Sequence, residues 1–174
     1  VQGLRAYQPG KPIDELAREY DLHPSDIVKL ASNENPLGPS DKALLAIQAE
    51  LSDLTRYPDG NGFELKSALS ESLAINNNQI TLGNGSSDIL EFIVKCFVSK
   101  NDEVIVSQHA FAIYGLVTKT VGGKLIQVPA KNWGHDLPAM AAAVTTKTKI
   151  IFVTNPNNPT GTWITKSELD TLLD

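Results

Sequence analysis

Apolar and polar residues follow two different spacings along the chain. Short apolar runs bounded by glycine, asparagine or aspartate are typical of strands, whereas apolar residues three and four positions apart are typical of amphipathic helices. Strands are predicted at 79–82, 103–107, 124–128 and 149–153, and helices at 14–20, 41–51, 63–75, 87–98, 112–121 and 137–144. Because the two kinds of element alternate from residue 79 onward, the pattern predicts an α/β fold with a mainly parallel sheet and flanking helices.

The composition is typical of a soluble globular protein, and it excludes several classes of function. Hydrophobic residues make up 41% of the 174 residues and charged residues 20%, with a formal net charge of −5. That charge leaves no basic stripe for nucleic acid and no polybasic run for a membrane surface. The apolar stretches are too short for a membrane span, and residues 1–10 show no signal-peptide pattern. We therefore expect a cytoplasmic protein without nucleic-acid or membrane partners.

The few cysteine and histidine residues exclude two further kinds of site. The single cysteine, Cys96, argues against a disulfide framework, suits a reducing cytosol, and is expected to be a small core residue of the helix at 87–98. His23, His109 and His135 are scattered, without an acidic or cysteine partner at ligand spacing. No metal site is predicted.

The segment 155–161, with the sequence NPNNPTG, is the most informative part of the chain. It follows the apolar run at 150–153 and so lies where a parallel strand would end, and open α/β sheets bind ligands at the carboxyl ends of their strands. Asn157 and Asn158 can donate from their side-chain amides to a ligand oxygen or ring substituent. The alternative is an ordinary turn leading into the next helix, since asparagine, proline and glycine dominate turns.

A second segment, 83–88 with the sequence GNGSSD, joins a predicted strand to a predicted helix. The free N–H groups of a helix N-terminus and the hydroxyls of Ser86 and Ser87 suit a phosphate. Asp88 stands where a dinucleotide-binding fingerprint has its third glycine, so NAD binding is not favoured. Its carboxylate is expected to cap the helix or to face a cationic ring nitrogen or a backbone N–H. The alternative is simply a capped helix start.

A third segment is 56–58, with the sequence RYP. The residue before a proline is held extended, so the hydroxyl of Tyr57 could reach a neighbouring ligand. The alternative is a turn with a half-buried tyrosine.

These three segments and a fourth, 31–38 with the sequence ASNENPLG, occur in one order along the chain. The set resembles the histidinol-phosphate aminotransferases, which belong to the fold-type I aminotransferases that depend on pyridoxal 5′-phosphate (PLP). The resemblance implies that 31–174 is the first part of a PLP-binding large domain of the aspartate aminotransferase-like type. Residues 1–30 are then an amino-terminal arm.

The resemblance also implies roles for single residues. Ser86 and Ser87, with nearby backbone amides, form part of the cup around the PLP phosphate, and Asn157 bonds the 3-hydroxyl oxygen of the ring. Phe111 stacks on the pyridine ring, where many relatives have tyrosine. Tyr57 reaches the phosphate of the cofactor bound in the other subunit, which implies a homodimer with a shared active site.

The substrate side of the resemblance rests on Asn33 and Glu34, which match the loop that approaches the substrate in the family. The alternative for this loop is a turn with a solvated glutamate. The implied reaction is PLP-dependent transamination between L-histidinol phosphate (with imidazole acetol phosphate as the keto partner) and glutamate/2-oxoglutarate in histidine biosynthesis. Two alternatives stay open: an aromatic aminotransferase or phosphothreonine-type decarboxylase of the same fold, and a non-catalytic phosphate-binding or interaction fragment.

The lysine that holds PLP in this family lies downstream of the NPNNPTG segment, so the catalytic lysine is not expected in this chain. Lys166 is not a candidate, because Thr165 and Glu168 are spaced as a capping box and place Lys166 on the surface of a first helical turn. We therefore expect the 174 residues to be a portion of a longer enzyme and to be inactive alone.

The sheet order of the family gives one more prediction. Of the four predicted strands, only 103–107 and 124–128 are expected to pair, because later strands separate the others. Buried strands without partners leave N–H and C=O groups unsatisfied.

Overall fold

The computed structural model describes residues 9–173, which form two compact units, residues 9–80 and residues 81–173. The first unit is helical. Its helices are α1 (Ile13–Tyr20), α2 (Asp41–Glu50) and α3 (Phe63–Leu73), with short 3₁₀ turns at Pro24–Asp26, Leu51–Asp53 and Asn77–Gln79. The hydroxyl of Ser40 accepts a hydrogen bond from the N–H of Ala43 and caps α2.

Apolar side chains of the first unit lie mostly on its surface. Within residues 9–80, Ala17 is the one buried residue, and the side chains of Leu30 and Leu37 are 93% and 91% exposed. Helices of 8 to 11 residues are marginal in water without tertiary packing, so little within this unit stabilises them.

The second unit is the predicted α/β structure. Its strands are β1 (Glu103–Ser107), β2 (Lys124–Val128) and β3 (Thr148–Ile151), and its helices are α4 (Ser86–Phe97), α5 (Ala112–Thr120), α6 (Leu137–Ala142) and α7 (Lys166–Leu173). The strands form a parallel sheet in the order β2-β1-β3. The fold class predicted from the alternating pattern is confirmed.

The central strand β1 divides the core into two layers. Val104 and Val106 point to the face that packs with α4 and α5, in a cluster that contains Val94, Val98, Tyr114, Val117 and Phe152. Ile105, which alternates with them, points to the other face and packs with Leu137 and Met140 of α6. Helices thus cover both faces of β1, which is why its sequence EVIVS carries apolar residues on both sides.

The predicted sheet order was wrong in one respect. We expected only β1 and β2 to pair, but β1 also pairs with β3, through Val104 with Ile150 and Ile105 with Ile151. A strand buried on both faces needs hydrogen-bond partners at both edges, and β3 satisfies the second edge of β1.

The predicted strand at 79–82 was also wrong. Asn77–Gln79 form a 3₁₀ turn, in which the N–H of Ile80 donates to the carbonyl of Asn77, and residues 80–83 are in no helix or strand. A strand is defined by its ladder, and no described strand pairs with this segment.

Cys96 is exposed, which contradicts its predicted place in the core. The side of α4 that packs against the core contains Leu90 and Val94, four residues apart, and Cys96, two residues after Val94, lies about 200° around the helix. Among residues 9–173, none of the helices combines the length and apolar character needed to span a bilayer.

Candidate functional site

The N-terminus of α4 is built from glycine and serine. Gly85 is its N-cap residue, with φ of 78° and no side chain to cap the helix. Ser86 and Ser87 are exposed, and their hydroxyls make no hydrogen bond within residues 9–173. The first N–H groups of α4 lack carbonyl partners within the helix, as at every helix N-terminus. The tip therefore presents amides and two free hydroxyls together.

Asp88 turns back onto the loop that precedes α4. Its Oδ2 accepts from the N–H of Asn84 at 2.9 Å, so one of the partners predicted for it, a backbone N–H, is found. Gly83 completes the turn, because a Cβ at this position would lie 2.9 Å from the Cβ of Asp88. The carboxylate is held inside the loop by these contacts.

The segment 155–161 is fixed by its own hydrogen bonds. The N–H of Asn157 donates to the carbonyl of Thr162 at 2.7 Å, and the N–H of Gly161 donates to the carbonyl of Asn157 at 2.8 Å. The side chain of Asn155 pairs with the backbone of Ile164 in both directions. Gly161 has a φ of 72°, in the left-handed region that favours glycine.

The side chain of Asn157 is buried, with 4% exposure. Its Nδ2 donates to the carbonyl of His109 at 2.9 Å and to Oγ1 of Thr160 at 2.7 Å. Turning the amide over would place Oδ1 against the His109 carbonyl, so that carbonyl fixes the orientation. Oδ1 is buried and has no hydrogen-bond partner within the described chain.

Phe111 lies at the start of α5, where the N–H of Tyr114 donates to its carbonyl. Its ring is half-buried and meets the ring of Tyr114 edge-on, with centroids 5.9 Å apart. Tyr114 in turn stacks on Phe152, and its hydroxyl pairs with Oγ1 of Thr154 at 2.6 Å. The aromatic position is therefore anchored in the core beside the carboxyl end of β3.

The sequence did not reveal a turn at 131–134 that also contacts this region. The ring of Trp133 stacks on that of His109, with centroids 4.8 Å apart, and Nε2 of His135 pairs with the carbonyl of Thr154 at 2.9 Å. The sequence could have pointed to this turn only through its position: the segment follows β2 and so leaves the sheet at the same edge as 155–161.

A family model described as "Aminotransferase class I and II" matches residues 25–174. The chain belongs to this family. It is 58% identical to histidinol-phosphate aminotransferase 2 of Pseudomonas fluorescens over 99% of this chain and 47% of the relative. It is also 58% identical to histidinol-phosphate aminotransferase 1 of Idiomarina loihiensis over 100% of this chain and 47% of the relative. The chain thus spans about half the length of the curated relatives it matches.

Solved aminotransferase structures share the fold. Histidinol-phosphate aminotransferase from Sinorhizobium meliloti, solved in complex with pyridoxal-5′-phosphate, superposes with a TM-score of 0.82 at 26% identity, over 99% of this chain and 45% of that one. An aspartate aminotransferase mutant from Thermus thermophilus gives a TM-score of 0.75 at 23% identity, over 82% of this chain and 42% of that one, which shows likeness of fold alone.

Within the aminotransferase fold, the structure links two of the predicted site residues closely. Asn157 bonds the carbonyl of His109, two residues before Phe111, so the amide loop and the aromatic position are connected. Ser86 and Ser87 lie in the same unit, but no hydrogen bond joins them to either residue within 81–173.

The other predicted site residues lie in the unit formed by residues 9–80. Tyr57 is fully exposed, at 101%, so it is not the half-buried tyrosine of the alternative interpretation. The Asp59 carboxylate fixes the turn that follows it by accepting from the N–H groups of Phe63 and Asn61, and these bonds lower its pKa. Asn33 is exposed, and Glu34 pairs with Lys29.

A cavity of about 540 Å³ lies in the second unit. It is lined by the start of α6, the segment 131–136 and the start of α7, and its walls include His135, Leu137, Trp163 and Glu168. None of Ser86, Ser87, Phe111 and Asn157 lines it.

Lys166 is a surface residue, as predicted. Thr165 and Glu168 form the expected capping box, in which the N–H of Thr165 donates to Glu168 and the N–H of Glu168 donates to Oγ1 of Thr165. Nζ of Lys166 pairs with Asp170 at 2.7 Å.

Proposed function

We propose that this chain is the cofactor-binding, amino-terminal part of an enzyme that transfers an amino group between L-histidinol phosphate/imidazole acetol phosphate and glutamate/2-oxoglutarate. The observation that carries the proposal is 58% identity, over 99% of the chain, to a relative named for histidinol-phosphate aminotransfer. The geometry supports an anion site at the N-terminus of α4 and an amide-rich loop after β3, and the names of the relatives supply the reaction.

The phosphate of PLP fits the N-terminus of α4. Free amides and the unpaired hydroxyls of Ser86 and Ser87 supply donors, and the positive end of the helix dipole favours an anion. Asp88 does not oppose this, because its carboxylate accepts from Asn84 within the loop.

The ring of PLP fits the residues at the carboxyl end of β3. Asn157 can donate to the 3-oxygen if Nδ2 gives up its bond to Thr160, whose hydroxyl has a second partner in Oγ1 of Thr162 at 3.1 Å. The bond to His109 would stay in place and keep the amide oriented. Phe111 would stack on the cofactor ring, and its own ring is anchored by Tyr114, with centroids 5.9 Å apart and planes at 89°.

When bound, PLP would draw electrons from the substrate carbon that carries the amino group. The residues of this chain would hold the phosphate, orient the ring and set the charge at its 3-oxygen. Lys166, paired with Asp170 on the surface, has no part in this proposal.

We also propose that Tyr57 reaches the cofactor phosphate of a partner subunit and that Asn33 and Glu34 approach the substrate. The full exposure of Tyr57 supports the first role, since a side chain free of its own unit can be shared across a homodimer. Residues 31–174 would then be the first part of the large domain of a cytoplasmic enzyme, and 1–30 its arm.

The test uses the intact gene product. With PLP it should develop a visible absorption band, and borohydride should remove that band and leave PLP attached to one lysine. With 2-oxoglutarate present, it should convert histidinol phosphate to imidazole acetol phosphate. Phenylalanine as the preferred donor would instead indicate an aromatic aminotransferase. The absence of any band would exclude PLP chemistry and leave a phosphate-binding role.

A further inference from the structure

The turn at 131–134 has an unusual backbone. Lys131 and Gly134 exchange two backbone hydrogen bonds, at 3.2 and 2.9 Å, and the two residues between them both have positive φ, 51° for Asn132 and 64° for Trp133. Turns of this kind favour asparagine followed by glycine. A tryptophan in the second position is strained, so other contacts must hold it there.

Those contacts reach both loops of the candidate site. The indole of Trp133 stacks on the ring of His109, with an angle of 27° between the planes, and the carbonyl of Trp133 accepts from Oγ1 of Thr162 at 3.5 Å. A Cβ on Gly134 would lie 3.2 Å from the same Oγ1, so the backbone of the turn lies close against Thr162.

Both contacts lead to the amide of Asn157. The carbonyl of His109 accepts from Nδ2 of Asn157, and Oγ1 of Thr162 lies 3.1 Å from Oγ1 of Thr160, which accepts from the same Nδ2. The turn thus supports the two acceptors that hold the amide of Asn157, one on each side.

Core packing does not explain the tryptophan. Trp133 is 68% exposed and belongs to neither core cluster of residues 81–173. An exposed aromatic ring on a strained backbone, stacked on a residue of the site, is better explained by what it holds than by what it buries.

We propose that the turn 131–134 is a brace for the segment 155–161, and that Trp133 is a positioning residue that keeps the amide of Asn157 in place. Where it concerns PLP, the inference rests on the proposed function. The brace itself does not, because every contact that forms it lies within the chain.

The first experiment measures backbone hydrogen exchange in the intact gene product without cofactor. Trp133→Gly removes the ring and suits the positive φ, so the melting temperature should stay equal or rise while the N–H groups of Asn157 and Gly161 exchange about tenfold faster. Trp133→Phe, which keeps a stacking ring, should exchange at close to the wild-type rate. Trp163→Ala, at a tryptophan that is also 71% exposed, is the matched control and should leave both amides unchanged.

Unchanged exchange at Asn157 and Gly161 in Trp133→Gly would overturn the brace. The amides of Ile105 and Val106 in β1 serve as the reference, because exchange that rises there too reports general unfolding. If exchange also rises in β1, the Trp133→Phe variant distinguishes the two explanations. Wild-type exchange rates at Asn157 and Gly161 in Trp133→Phe would support the brace, and rates as fast as those in Trp133→Gly would overturn it.

The second experiment measures PLP. In Trp133→Gly the dissociation constant should rise by roughly three- to tenfold and the pH midpoint of the visible absorption band should shift, because a less fixed Asn157 amide bonds the 3-oxygen less well. Faster exchange at Asn157 with no PLP binding in any variant, wild type included, would support the brace and exclude the proposed function. Faster exchange with an unchanged PLP dissociation constant and midpoint would overturn the role of the brace toward the cofactor.

Discussion

The side-chain Nδ2 of Asn157 donates to the backbone carbonyl of His109 at 2.9 Å, across 48 positions of sequence. This bond joins the loop after β3 to the loop after β1, on the edge where both strands end. It fixes which way the amide faces, and it connects the predicted amide position to the predicted aromatic position at Phe111.

Asn157→Ala should lower the free energy of unfolding by about 1–2 kcal/mol, because the His109 carbonyl and the Thr160 hydroxyl lose their donor. Denaturant unfolding of the intact gene product gives this difference. Asn158→Ala is the control, since the Asn158 amide makes no hydrogen bond within residues 9–173. Equal unfolding midpoints for the two variants would show that the amide has no structural role.

Ser86→Ala and Ser87→Ala should leave stability within about 0.5 kcal/mol of wild type, because both hydroxyls are exposed and unpaired within the described residues. The dissociation constant for PLP should rise by about tenfold for each, as expected for the loss of a hydrogen bond to a charged group. Ser72→Ala, an exposed serine of α3, is the control for both measurements. Unaltered PLP affinity in both variants would show that the PLP phosphate does not bind at the N-terminus of α4.

Gly83→Ala should disturb the same tip through packing. A Cβ there would lie 2.9 Å from the Cβ of Asp88 and 3.1 Å from Cδ1 of Ile89, so the loop must shift. The melting temperature should fall, and inorganic phosphate and PLP should bind less tightly. Gly60→Ala, where a Cβ meets nothing within 4 Å, should change neither property. A Gly83→Ala variant with wild-type melting and affinity would contradict the close approach.

The thermal stability of the unit 9–80 should depend on pH through the carboxylate of Asp59. The N–H groups of Phe63 and Asn61 lower the pKa of Asp59 below its ordinary value of 3.8. The stabilisation is therefore complete above the ordinary value and is lost as the pH falls through the lower, folded-state pKa. The difference in melting temperature between wild type and Asp59→Asn should therefore become smaller as the pH falls from the ordinary value through the folded-state pKa. A gap that is constant across this pH range would show that the carboxylate contributes nothing as an anion.

Local signals in the sequence predicted much of the fold. Strands β1 and β2 begin and end where the apolar runs predicted, and the predicted capping box of Thr165 and Glu168 is present. These features depend on residues close in sequence, so a pattern read along the chain can find them.

Other features depend on residues far apart in sequence, and the sequence did not predict them. The pairing of β1 with β3 follows from burial of both faces of β1, and the exposure of Cys96 follows from which side of α4 meets the sheet. The partners of Asn157 and the stack of Trp133 on His109 likewise join distant segments. The motifs singled out candidate residues for the site, but they did not predict how the chain holds them.

A crystal structure of the intact gene product grown with PLP would locate the cofactor. We expect the PLP phosphate within hydrogen-bond distance of the Ser86 and Ser87 hydroxyls, with the ring between Phe111 and the 155–161 loop and its 3-oxygen on Asn157. A cofactor bound elsewhere, for example in the cavity beside Trp163, and contacting neither serine nor Asn157, would contradict this expectation.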